Sequence, residues 1–149
     1  LRGAISEARE QFTNSYGGLR AGFVLGLLEW ETNDFSAAGA AFEAVADTHS
    51  GTYIEPVALA NAAAAAEETG DNTAARELYG RVVTLENTAN LERAHAVFSL
   101  GRLAEQNNEH GLALEYYNQL IDEHPDSNWT NLGRNRIIWL TSQGAGSEN

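Results

Sequence analysis

With 149 residues, 43% of them apolar, the chain is long enough to close a core and too apolar to stay disordered, and no apolar run reaches the length of a bilayer span. A formal charge of −12, with nine Arg and no Lys against 21 acids, excludes the basic stripe that nucleic acid requires and sets the chain against an anionic membrane surface. No cysteine is present, so disulfides, thiolate nucleophiles and Cys-based metal sites are excluded as well.

Taken in chain order, the apolar spacing predicts helices over about 3–16, 19–32, 34–48, 55–69, 72–86, 90–107, 109–123 and 127–141. In the first, Gly3, Ala8 and Phe12 sit at offsets of zero, five and nine. The same offsets recur in later helices that each follow a partner helix. The first helix therefore reads as the second half of a pair, and the native chain is expected to extend upstream, in keeping with a first residue that is not Met.

The next two helices meet at "TNDFSAA" (32–38), where Asn33 precedes Asp34 and Ala38 follows. "TGDNTAA" (69–75) and "NNEHGLA" (107–113) repeat the pattern with Gly70, Asp71, Ala75 and with Asn108, Glu109, Ala113, at steps of 37 and 38 residues. Seven residues before each turn residue stands a small side chain: Gly26, Ala63 or Gly101. Four after the Ala stands an aromatic (Phe42, Tyr79, Tyr117), and three further an aliphatic (Val45, Val82, Leu120). Ser50, Asn87 and Pro125 then end the copies. Each unit thus reads as two helices joined at a residue that tolerates left-handed backbone, with an acid favouring the next helix's dipole. The small residues let paired helices approach, and the aromatics are expected to fill the space between neighbouring units. Pro56 suits a first turn, where its missing N–H costs little. The Ala-rich stretch 58–66 suits a close-packed helix between two others.

The last predicted helix carries Trp129, Leu132, Ile137 and Leu140 on about one face, as a terminal cap or as the first helix of a further unit. Residues 143–149 read as a frayed tail. Nothing resembling a linker divides 1–142, so a single repeat domain is expected, with a partial repeat at 3–16 and repeats near 19–52, 56–89 and 94–127.

Chemistry is sparse. His49, His95, His110 and His124 form no HxxxH or HExxH, and no phosphate loop, GxSxG or calcium loop is present. No catalytic residue, metal ligand or cofactor is assigned, and the acid pairs Glu67-Glu68 and Asp122-Glu123 suit a solvated helix face.

Leu25-Gly26 and Leu100-Gly101, the turn with Asp34 or Asp71 before Ala, the second-helix aromatic and the closing Pro125 together resemble the tetratricopeptide repeat family. The resemblance covers about 19–127. It implies an all-α superhelix of helix-turn-helix repeats, about eight helices in all, whose first helices line a concave face that binds a polypeptide. Carried onto this chain, the lining includes Arg20, Phe23, Leu27 and Trp30 from the first full unit. The second gives Asn61, Ala64 and Glu68, and the third His95, Phe98, Arg102 and Glu105. Packing of Phe23, Leu27 and Phe98 on neighbouring helices, and pairing of Arg20 or Arg102 with Glu31, Glu67 or Glu105, are the competing expectations. His95 is either a plain surface residue or a source of pH sensitivity in the groove.

The longer repeats and the phrase "LIDEHPDSNW" are similar to bacterial cell-envelope repeat proteins of the Tol-Pal-associated, outer-membrane-assembly and translocon-accessory types. That similarity implies a non-catalytic scaffold with a protein or peptide partner in the periplasm or envelope, the cytoplasm being the alternative. Homo-oligomerisation or anchoring, and an accessory role within a longer protein, are the other functions to weigh. No nucleic acid and no direct membrane insertion are expected.

Overall fold

In the computed structural model, residues 1–86 and 91–146 are described, and they form eight helices and no strand. The chain divides into two compact units, residues 1–90 and 91–149. In the first, α1 (Arg2–Gln11), α2 (Tyr16–Glu31), α3 (Phe35–Thr48), α4 (Ile54–Glu68) and α5 (Asn72–Thr84) each pack on the next. In the second, α6 (Arg93–Gln106) and α7 (His110–Glu123) pair, and α8 (Asn128–Gly146) packs on both.

The three predicted turn residues hold left-handed backbone: φ is 58° at Asn33, 77° at Gly70 and 61° at Asn108. Each closes its helix with the same two bonds. At the first turn the Asn33 amide donates to the Trp30 carbonyl and the Asp34 amide to the Glu29 carbonyl, both at 2.9 Å. The pair satisfies carbonyls that the helix end leaves without partners. The following acid does more than favour a dipole. Asp34 Oδ1 accepts from the Ala37 amide at 3.1 Å, and Asp71 Oδ1 from the Ala74 amide at 3.0 Å. These are N-cap bonds. Glu109, one methylene longer, makes no such cap.

Phe42 and Tyr117 pack against the glycine of the preceding helix in their own hairpins, and Tyr117 also faces Gly133 of α8, the next helix along the chain. A Cβ on Gly26 would lie 2.6 Å from the Phe42 ring, and one on Gly101 2.5 Å from the Tyr117 ring. The small residue makes room for an aromatic ring 16 positions later. Ala58, Leu59, Ala62, Ala63 and Ala65 are all buried, because α4 lies between α3 and α5. Pro56 stands in the first turn of α4, as its missing N–H favours.

α1 ends earlier than predicted, at Gln11, and α2 starts earlier, at Tyr16. Residues 12–15 form the turn, and the Ser15 hydroxyl oxygen accepts from the Gly18 amide at 3.2 Å to start α2. α6 starts at Arg93 rather than 90, and α8 runs on to Gly146, past the expected end at 141. The helix-ending role read for Asn87, and residues 147–149 of the tail, lie outside the described residues. On α8 the buried residues are Thr130, Gly133 and Leu140, whereas Leu132, placed with the inner face from sequence, is exposed. Thr130 explains the rotation: its hydroxyl donates to the carbonyls of His124 (2.5 Å) and Leu120 (3.2 Å), capping α7 from the start of α8.

Candidate functional site

In the first unit the predicted lining comes from α2 and α4. Arg20 is exposed, its guanidinium 5.9 Å from the centre of the Tyr16 ring. Phe23 is half-buried, edge-on to Phe42 at 5.2 Å. Leu27 is 45% exposed. Trp30 packs edge-on against Phe35 at 5.2 Å. Asn61 turns its amide back to the Val57 carbonyl at 2.8 Å, Ala64 is half-buried and Glu68 is exposed. Tyr16 and Tyr53, which the sequence reading passed over, flank the amino-terminal ends of α2 and α4 and are 66% and 62% exposed. Both sit where predicted loops or helix tips lay, so helical periodicity gave no signal for them.

Exposed apolar side chains are unevenly placed among the helices. None of the large ones lies on α3, α5 or α7 among the described residues. Val24 and Leu27 stand on α2, and Leu132, Ile138 and Trp139 on α8. Among the described residues α4 and α6 carry none either, so the exposed apolar helix surface is concentrated on α2 and α8. Such surface marks contact sites.

In the second unit three of the four sequence-predicted residues, all but His95, come together around a cleft of about 380 Å³ lined by Phe98, Arg102, Glu105, Gln106, Tyr117 and Arg136. Phe98 is half-buried, its ring 5.7 Å from Tyr117 and 5.3 Å from Trp129. His95 stacks on Trp129 at 4.6 Å, with Nδ1 3.1 Å from Glu92 Oε2. Phe98 thus packs on neighbouring helices, one of its two expected placements, and His95 has a ring neighbour on α8.

Glu105 is the most constrained group of the predicted set. It accepts from the Tyr117 hydroxyl at 2.6 Å and from Arg136 Nε at 3.0 Å, and Arg136 Nη2 closes a second bond to the same carboxylate. Burial alone raises its pKa, but the bonds from Arg136 and Tyr117 outweigh burial and hold it below the ordinary 4.5. Burial and the adjacent carboxylate push the Tyr117 phenol up, and the bond to Glu105 pushes Arg136 up. The preceding repeat carries the same pair: the Tyr79 hydroxyl donates to Glu67 Oε1 at 3.0 Å. In the first full repeat Phe42 has no hydroxyl, and Trp30 replaces the acid. This exchange was legible in the sequence as Glu and Tyr 12 residues apart. Arg136 was not, because its partner lies 31 residues earlier.

Helix pairs closed by left-handed turns, capped by Asp, and seamed by a small residue under an aromatic define a helix–turn–helix repeat protein. The family model described as Tetratricopeptide repeat matches residues 23–88 and again 60–128, and the chain belongs to that family, with its all-α repeat fold. The chain is also 33% identical over 93 residues, 62% of its own length, to a TPR repeat-containing protein of Treponema pallidum (strain Nichols). The matched stretch is 38% of that relative's length.

Proposed function

We propose that this chain is a non-catalytic scaffold that binds a polypeptide through the exposed faces of its first helices. Repeats of this family mediate protein–protein interactions. The observation that carries the reading is the apolar surface that α2 leaves in water at Val24 and Leu27. Desolvating Val24 and Leu27 on a partner favours binding, and Arg20 and Arg102 add the planar donors that suit carboxylates. No helix among the described residues is long and apolar enough to cross a membrane, and none of their His, Asp or Glu residues cluster as a metal site. The test is affinity capture from soluble and solubilised envelope fractions with the wild type beside Leu27→Glu and Arg102→Glu, all matched in circular dichroism. A protein identified with the wild type and lost from either variant supports the reading. Equal capture by all three moves the binding surface off these faces. The same fractions address the compartment: the reading places the partner in the bacterial envelope, on the similarity of the closing phrase around Pro125 to envelope repeat proteins.

A second reading is favoured by α8, where Ile138 is 67% and Trp139 45% exposed. Self-association through this face predicts a mass that grows with concentration in light scattering and reverts in Ile138→Glu. A constant monomer mass removes it.

A further inference from the structure

The surface of the first unit states what kind of side chain the partner brings; this rests on the polypeptide-binding reading above. A hollow of about 200 Å³ opens between the start of α2 and the start of α4, lined by Tyr16, Arg20, Phe23, Val24, Tyr53 and Ile54. It is smaller than the roughly 300–1,000 Å³ of sites that enclose whole small molecules. Its scale is that of one large apolar side chain. Its walls are aromatic and aliphatic, and Tyr16, Val24 and Tyr53 stay exposed although each would gain by being covered.

The rim carries one charge. Arg2 pairs with Glu29, Arg81 with Asp47 and Arg136 with Glu105. Arg20 instead lies over the Tyr16 ring and has no carboxylate partner among the described residues, in a chain whose acids outnumber its cations by 21 to nine. The nearby Glu55 is turned away to the Ser50 hydroxyl (3.1 Å) and the Gly51 amide (2.6 Å). An apolar hollow with an unanswered guanidinium at its edge is complementary to an apolar side chain with an acid beside it. Tyr16 and Tyr53 project into solvent rather than closing the ends, so a continuous chain has room to pass across.

We propose that this hollow seats one Leu, Ile or Phe side chain of the partner polypeptide, with an adjacent Asp or Glu side chain paired to Arg20. The probe is the blocked peptide acetyl-Ser-Glu-Leu-Ser-amide, titrated into the ¹⁵N-labelled full chain at about 0.15 M salt, where the Debye length of about 8 Å screens the chain's overall negative charge. Two companion peptides replace its Glu by Gln or its Leu by Ala. Amide shifts are expected to gather at residues 16–27 and 53–54. The Gln peptide should bind about fivefold more weakly, as for an exposed ion pair, and the Ala peptide at least tenfold more weakly, for the lost apolar contact. Arg20→Gln should erase the preference for Glu while keeping that for Leu, and Val24→Asp should erase the preference for Leu. Both positions are exposed, so neither variant threatens the fold. Equal response to all three peptides, shifts centred elsewhere, or an unchanged Glu preference in Arg20→Gln would overturn the proposal. So would perturbation of the same amides by neutral phosphatidylcholine vesicles with none by peptide, which would make the hollow a lipid contact. If the peptides fail while the partner captured above is still lost from Leu27→Glu, this hollow is wrong and the wider reading stands.

Discussion

A single carbon atom decides the fit of each helical hairpin that carries a glycine seam. The Tyr117 ring is fully buried and its hydroxyl is tied to Glu105, so it cannot retreat from a Cβ placed 2.5 Å away on Gly101. Gly101→Ala gains helix propensity of about 1 kcal/mol but overpacks a closed site, a change that costs about 1–3 kcal/mol. The expected result is a net loss of stability. Gly80 in α5 offers the contrast, since a Cβ there meets nothing within 4 Å. Gly80→Ala should stabilise by about 0.5–1 kcal/mol. Urea unfolding of the two variants checks both signs, and shifts in the same direction would remove the ring contact as the cause. At the turn, Gly70 holds φ at 77° with open space around it, so Gly70→Ala tests backbone strain alone. It should cost about 1–2 kcal/mol, the penalty of left-handed backbone for a side chain with a Cβ.

Among elements, α8 shows most clearly where the sequence stops being informative. The eight helices, their left-handed turn residues and the small-to-aromatic spacing all came from local periodicity and turn chemistry, which the chain repeats three times. The face that α8 buries did not, because it is set by Thr130 reaching back to the α7 carbonyls and by Arg136 reaching Glu105, both long-range polar contacts. The same holds for the candidate lining: its positions were legible, but the stacking of His95 and Phe98 on Trp129 depends on how α8 docks. The Arg136–Glu105 tie has a measurable signature. Glu105 has a folded pKa below its unfolded value near 4.5, so its contribution is complete above that pH and is lost as pH falls through the lower folded value. Glu105→Gln should cost about 1–3 kcal/mol at pH 7, the range of a hydrogen bond to a charged group. The gap between wild type and variant should then close as the solution is taken below pH 4. A gap that stays constant from pH 7 to 3 would mean that the carboxylate's charge plays no part in holding α8.

For the molecule as a whole, the charge pattern sets one clear expectation. Acids exceed cations by 12, and the acids at Glu68, Asp122, Glu123 and elsewhere lie exposed on helix surfaces. The compact state gathers like charges that the unfolded chain spreads apart, so self-repulsion opposes folding. Ion pairs act the other way and weaken in salt, but Arg81–Asp47 is exposed on both sides and contributes little. Screening should therefore win. Raising NaCl from about 10 mM to about 150 mM shortens the Debye length from about 30 Å to about 8 Å. Tm should rise over that interval by several degrees, at roughly 2–4 °C per kcal/mol for a chain of this size. The shape of the curve identifies the cause. Screening saturates once the Debye length falls below the spacing of surface charges, so most of the gain should be complete by about 0.2 M. A general strengthening of apolar burial by excluded salt keeps growing to molar concentrations. A Tm that climbs steadily to 1 M would assign the effect to burial, and one that falls would show that ion pairs such as Arg136–Glu105 outweigh the repulsion of 21 acids.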